Sequence, residues 1–296
     1  MANNASMSLQ AWREGGDLWE FRGRSIFFRV AGSEGKPVLL LIHGFPTSSF
    51  DWDALWPRLA DSYRVIAADM LGFGFSDKPA RHDYRIGEHA DAMEALLRHC
   101  GARSYITLAH DYGDTVAQEL LARQSEPGER PRLRGLALLN GGLFPETHRP
   151  LLLQRILLSP LGFLVARMIS RRSLERAFRR IFGVATQPDG AFIDASWRQL
   201  CHNEGWRVLP RLIRYMAERK VHRERWVGAL QRATIPVAVI AGADDPVSGA
   251  HMVERYRDLV SRPDTTLLEG IGHYPQVEAT DRVWVAFEEW TRRALG

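Results

Sequence analysis

Short runs of consecutive apolar residues alternate along this chain with longer stretches whose apolar positions recur every three or four residues. SIFFRVAG, PVLLLIHG, YRVIAADM, SYITLAHD, LRGLALLNGG, PVAVIAGADD and TTLLEGIGH are of the first kind. Several are apolar on both faces, as a parallel strand covered on both sides of its sheet must be. GEHADAMEALLRHCGA, DTVAQELLARQ and the terminal ATDRVWVAFEEWTRRALG are of the second kind and predict amphipathic helices. Strand-helix alternation of this sort predicts an α/β fold, a mostly parallel sheet with helices on both faces.

The alternation stops between about 142 and 232. RPLLLQRILLSPLGFLVARMISRRSLERAFRRIF and WRQLCHNEGWRVLPRLIRYMAERKVHRERWVGAL carry helical spacing and no strand signal. The pattern predicts a helical lid over 142–232, inserted after the sixth strand into a core made of 1–141 and 233–296.

Length and composition bound this picture. The chain has 296 residues, 45% hydrophobic and 25% charged, enough for one sizeable core with an insertion. The net charge of +4 is unevenly spread: 149–225 holds 16 lysines and arginines against 6 acids. The rest of the chain is therefore acidic, which argues against a nucleic-acid binder with a uniformly basic face. Cys100 and Cys201 lie far apart and outside metal-ligand spacing, so two reduced thiols in a cytoplasmic protein are expected. The first residues lack a basic head followed by an apolar core, so no signal peptide is expected. No apolar run approaches the roughly 20 residues that span a bilayer.

Three short motifs carry chemistry. In AHDYG, residues 109–113, a strand turns sharply into a helix, with Ala109 and Gly113 two positions either side of Asp111. That is the layout of a nucleophile elbow, whose strand and helix backbones approach too closely for larger residues. An aspartate in such a loop also reads simply as a helix cap. In HGFPTSSFDW, residues 43–52, a tight turn follows a buried strand and can aim the Phe45 backbone N–H at the elbow. With the Tyr112 N–H it would form an oxyanion hole. In AGADDPVS and GIGHYPQVE, Asp245 and His273 each follow a strand near the C-terminus. An acid that fixes a histidine tautomer and a histidine base belong on neighbouring loops at the nucleophile's sheet edge. Each residue has a bland alternative as a turn or loop residue; the three in order are much harder to explain that way.

The order of nucleophile, acid and histidine is that of the α/β-hydrolase fold. With the aspartate elbow, the His-Gly-x-Pro turn, DMLGFGFSDKP at 69–79 and the helical lid, the chain resembles the epoxide hydrolase and haloalkane dehalogenase group. HDYGDTVAQELL, NGGLFPETHRPLLLQ and RERWVGAL most resemble its mesoderm-specific transcript branch. The resemblance implies an Asp-His-Asp triad of Asp111 as nucleophile, His273 as base and Asp245 as acid, with no cofactor or metal. Asn140, where some dehalogenases keep the acid, is neutral and leaves that role to Asp245.

An ionised carboxylate is already a nucleophile at neutral pH and suits displacement at an sp³ carbon. The product is an alkyl ester of Asp111, which a water activated by His273 then hydrolyses. Attack on an acyl carbon would give an unproductive anhydride, which argues against peptidase, lipase and ordinary esterase activity. The leaving group decides the rest. Tyr112 stands where dehalogenases carry a halide-donating tryptophan and epoxide hydrolases often a tryptophan too, so it counts against both activities, though more against dehalogenation. Tyr215 is the only tyrosine between 142 and 232, where epoxide hydrolases carry a ring-opening donor; packing as lid core is its alternative. His148 is a candidate second donor or a helix-capping loop residue. The expected activity is hydrolysis of a small apolar epoxide to a vicinal diol. Haloalkane dehalogenation and a non-catalytic ligand-binding homologue are the alternatives. The basic, leucine-rich lid helices are expected to roof the cavity rather than contact a membrane.

Overall fold

The computed structural model describes residues 7–296. Residues 1–6, where the expectation of no signal peptide begins, lie outside the described residues. Eight strands form one sheet: β1 (Asp17–Phe21), β2 (Arg24–Ala31), β3 (Val38–Ile42), β4 (Arg64–Ala68), β5 (Ser104–His110), β6 (Arg132–Leu139), β7 (Val237–Gly242) and β8 (Asp264–Leu268). Their order is β1-β2-β4-β3-β5-β6-β7-β8. Pairs β1–β2 and β2–β4 are antiparallel; from β4 to β8 every pair is parallel.

The apolar runs owe their two-sided character to period-two alternation. Leu40 and Ile42 of β3, Ile66 of β4 and Leu136 and Leu138 of β6 enter the core on one side of the sheet. Their neighbours Leu39, Leu41, Val65, Ala137 and Leu139 enter the core on the other. Burial of each such leucine or isoleucine contributes about 1.5–3 kcal/mol. The sequence pattern misses β1, because DLWEF is a half-exposed antiparallel edge with Leu18 65% exposed. Counting β1 makes β6 the sixth strand.

Helices α1 (Leu9–Glu14), α2 (Trp56–Ser62), α3 (Ile86–His99) and α4 (Tyr112–Arg123) precede β6. From β6 to β7 the described residues form helices and no strand: α5 (Leu152–Leu158), α6 (Gly162–Arg167), α7 (Arg171–Arg179), α8 (Gly190–Cys201), α9 (Leu209–Leu212), α10 (Tyr215–Val221) and α11 (Arg223–Gln231). Helices α12 (Ala250–Leu259), α13 (Pro275–Glu278) and α14 (Thr280–Leu295) complete the chain.

Charged and polar anchors tie this insertion to the core. Trp226 Nε1 and Arg225 Nε both donate to Glu119 Oε2 on α4, each at 2.7 Å. Gly183 N–H and Thr186 Oγ1 donate to Glu278 Oε2 beside the last strand loop, at 2.7 and 2.6 Å. No helix of the described residues is long and apolar enough to cross a membrane.

Candidate active site

Strand β5 runs straight into α4, and the single residue between them is Asp111, at φ 48° and ψ −103°. A side chain at positive φ is strained by about 1–3 kcal/mol and persists only when its surroundings fix it. Gly113 permits the turn: a Cβ there would lie 2.5 Å from the Ile42 carbonyl and 2.7 Å from that of His43. The bland reading of Asp111 as a helix cap does not hold, since its side chain makes no capping hydrogen bond to α4. That side chain points at the loop after β3, where Phe45 N–H donates to Asp111 Oδ2 at 3.1 Å. Tyr112 opens the helix, so its N–H has no partner inside it.

The loop after β3 is held by residues of the motifs that flank it. Neutral His43 bridges it: Nδ1 lies 2.8 Å from the Gly44 carbonyl, and Nε2 accepts from Met70 N–H at 3.0 Å. Buried Asp69 accepts from Ser49 N–H and from Phe75 N–H, at 2.8 and 2.6 Å. The DMLGFGFSDKP stretch therefore scaffolds the turn.

On the next two loops His273 Nδ1 lies 2.7 Å from Asp245 Oδ2. Asp245 is fixed by Val247 N–H on Oδ1 (2.8 Å) and by Ser248 N–H and Asn140 Nδ2 on Oδ2 (3.1 and 3.0 Å). Asn140 thus binds the Asp245 carboxylate. The backbone of His273 is pinned from two sides. Its N–H donates to the Ile181 carbonyl, and His110 Nε2 donates to its carbonyl, both at 2.7 Å. Glu278 braces the same loop by accepting from Gly272 N–H and Tyr274 N–H, each at 2.9 Å.

His273 Nε2 faces Asp111 Oδ2 at 3.9 Å, too far for a direct hydrogen bond but close for charge attraction. Burial disfavours the imidazolium, yet Asp245 and Asp111 on either side outweigh it and push His273 up to about 10. Burial likewise opposes ionisation of Asp111, and His273, Arg219 and His110 outweigh it, holding the carboxyl below its ordinary value. The two shifts are opposite in sign and favour an Asp111 anion facing a His273 cation.

Helix α10 packs against the site through Tyr215 and Arg219. Tyr215 is 1% exposed, its ring 4.6 Å from that of Tyr112 and 6.3 Å from that of Phe45. Its hydroxyl is buried and meets no acceptor, and Arg219 is the group that acts on it. Burial and the Asp111 charge push the phenol above its ordinary value, so it keeps its proton. Both ring nitrogens of His148 are buried and unpartnered. Burial and the neighbouring Arg219 lower His148 to about 3, so its ring is neutral.

The residue that sequence reasoning missed is Arg219. It is 2% exposed, and Nη2 donates to the Asp111 carbonyl at 3.1 Å and lies 3.8 Å from Oδ1. Nε donates to Thr115 Oγ1 at 2.7 Å, and the guanidinium carbon stands 4.4 Å from the centre of the Tyr215 ring. Nη1 has no partner. A Cβ on Gly142 would come within 2.3 Å of Arg219 Nη1 and 2.8 Å of His148 Nδ1, so the glycine makes room for both. The available signal was spacing: Arg219 follows Tyr215 by four residues, which puts both on one helix face.

A cavity of about 70 Å³ borders His273 and Phe45 and is otherwise walled mainly by insertion side chains such as Leu151, Leu157, Leu174, Phe178 and Leu209. It stops short of Asp111. A larger cleft of about 710 Å³, lined by Asp51, Thr186 and Asp189 among others, holds neither Asp111, Asp245 nor His273. Among the described residues no group of three or more His, Cys, Asp and Glu is placed to hold a metal ion.

The sequence pattern of the alpha/beta hydrolase fold family matches residues 37–280. The chain belongs to the α/β-hydrolase family. This hydrolase is 44% identical over 287 residues to the mesoderm-specific transcript homolog protein of Homo sapiens, covering 92% of this chain and 84% of that protein. Among solved structures it is similar to haloalkane dehalogenase DbeA from Bradyrhizobium elkani, with a TM-score of 0.79 at 22% identity, covering 94% of this chain and 98% of that one. Epoxide hydrolase CorEH gives a TM-score of 0.77 at 20% identity, with the same coverage of 94% and 98%. At those identities the two structures share the fold.

Proposed function

We propose that this hydrolase opens a small apolar epoxide to a vicinal diol through an alkyl ester on Asp111. The observation that carries the reading is the Tyr215 hydroxyl: buried, protonated, beside Arg219 and without an acceptor for its proton. A buried polar group left without a partner costs about 1–3 kcal/mol and calls for a functional explanation. An epoxide oxygen supplies the missing acceptor. On this reading His148, whose ring nitrogens are both buried without a partner, is the second donor through whichever nitrogen carries its proton.

In the first step Asp111 Oδ1 attacks a ring carbon, while Oδ2 stays on the Phe45 N–H. The C–O bond breaks toward the oxygen, which takes the Tyr215 proton and becomes a hydroxyl. Arg219, facing the Tyr215 ring, stabilises the phenolate that is left. In the second step a water attacks the ester carbonyl, and the oxyanion is held by the N–H groups of Phe45 and Tyr112. His273 takes the water's proton, and Asp245 stabilises the imidazolium. Collapse breaks the bond to the diol oxygen, which takes the proton of the hydroxyl that came from water; the Asp111 carboxylate is restored with one oxygen from water, and His273 is left protonated as at the start.

The charges explain the order of events. His273 is a cation while Asp111 is an anion, and so cannot accept a proton. Esterification removes the Asp111 charge, His273 falls toward its ordinary range and gives up a proton that makes good the one Tyr215 lost, and only then does it become a base. On this reading residues 142–232 act as a lid over the core of 1–141 and 233–296. The lid opens to admit substrate into its leucine- and phenylalanine-lined space.

Tyr215→Phe is expected to lower turnover of styrene oxide at least tenfold, corresponding to about 1.4 kcal/mol or more of transition-state stabilisation. An unchanged rate of diol formation would remove Tyr215 from the mechanism and leave its buried hydroxyl without a role.

A further inference from the structure

The apolar residues of 151–168 divide into two sets. Leu151, Leu153 and Leu157 turn inward and wall the cavity that borders His273. Leu152, Leu158, Leu161, Phe163, Leu164 and Met168 turn outward, with Leu152 68%, Leu161 64%, Leu164 59% and Met168 74% exposed. These six are the majority of the eleven exposed large hydrophobics among the described residues. Leu161, Leu164 and Met168 follow helical spacing along α6 and its two caps, so they form one stripe. A roof over the cavity accounts for the inward set and not for the outward one.

Charge surrounds the outward set. Between residues 149 and 180 the chain has eight arginines and a single acid, Glu175. Glu175 and Asp194 pair with Arg171, and Glu175 also with Arg179. Arg155, Arg167, Arg172 and Arg176 are exposed and make no ion pair among the described residues. Large apolar side chains in water beside unpaired cations match a surface with an apolar interior and anionic head groups. Arginine stems lie along such a boundary while their guanidinium groups reach the phosphates.

We infer that the outer face of α5, α6 and the start of α7 docks on an anionic phospholipid surface. The occupant is a lipid bilayer because the complement required is both apolar and negative, and because the same short helices wall the cavity on their inner side. Docked in this way, the insertion sets the apolar cavity next to the acyl region of the bilayer, from which a lipophilic substrate passes without crossing water. The surface assignment does not depend on epoxide chemistry.

The full chain is floated with vesicles of phosphatidylcholine alone and with vesicles of phosphatidylcholine plus phosphatidylglycerol. It is expected to float with the second and to be released by high salt. Arg172→Gln and Arg176→Gln should each weaken binding about fivefold. Leu161→Asp with Leu164→Asp should abolish it while the circular dichroism spectrum and melting temperature stay unchanged. Absence of flotation, or equal flotation with both vesicle types, overturns the proposal. So does a change from dimer to monomer in the leucine variant with flotation intact, which makes the face a contact between two copies.

Discussion

His273→Gln is expected to stop turnover after the first step, lowering steady-state diol formation on the order of a thousandfold. The protein mass should rise by that of one epoxide per chain. The two steps place different demands on the site. Attack needs an ionised Asp111, a donor to the ring oxygen and the Phe45 N–H, none of which the substitution removes. Hydrolysis needs a base for the attacking water, and no other group replaces it. His110 and His148 are both lowered to about 3, and the nitrogen of His110 nearest His273 is committed to the His273 carbonyl. Peptide mapping should place the adduct on Asp111. An unmodified protein, or an adduct on another residue, removes Asp111 as the nucleophile.

Asp111→Asn should abolish diol formation, by about a millionfold where a covalent nucleophile is removed, and should also lower the pKa of His273. Two anions flank that imidazole and hold it at about 10 against burial. With Asp111 neutral only Asp245 remains, and burial gains relative weight. The sign for stability follows directly. A raised folded pKa contributes stability that is fully present below the ordinary value of 6.5 and is lost as pH rises through about 10. The melting temperature of the wild type should therefore fall between those pH values, and that of Asp111→Asn should fall less. Titration of the His273 ring by NMR reads the same shift; an unaltered pKa in the variant would mean that Asp111 does not govern the charge of the base.

What the sequence disclosed depended on how local each signal was. The elbow at Asp111 was legible because strand, turn and helix are contiguous and Gly113 is demanded by a backbone contact. Phe45, Asp245 and His273 were legible because each follows a buried strand in a parallel sheet, whose strand ends converge on one edge. Arg219 was not, because an arginine in a basic helical stretch reads as solvent-facing; its burial depends on Thr115 and the Asp111 carbonyl, about a hundred residues away in sequence. Glu278 closed the GIGHYPQVE motif in plain view, yet its role depends on Gly183 of the insertion. The leucines of 151–168 showed helical spacing, but spacing alone does not say which face meets the cavity and which meets water. Only the packed structure separates Leu157 from Leu161.

The central claim is an Asp111 nucleophile acting on an epoxide, with Tyr215 assisting the oxygen. Its most direct test offers wild type and Asp111→Asn styrene oxide and a 1-chloroalkane in parallel, and measures diol and free chloride. The account predicts diol from the wild type, none from the variant, and little chloride from either, since the residue after Asp111 is Tyr112 and not tryptophan. Chloride release without diol would contradict it.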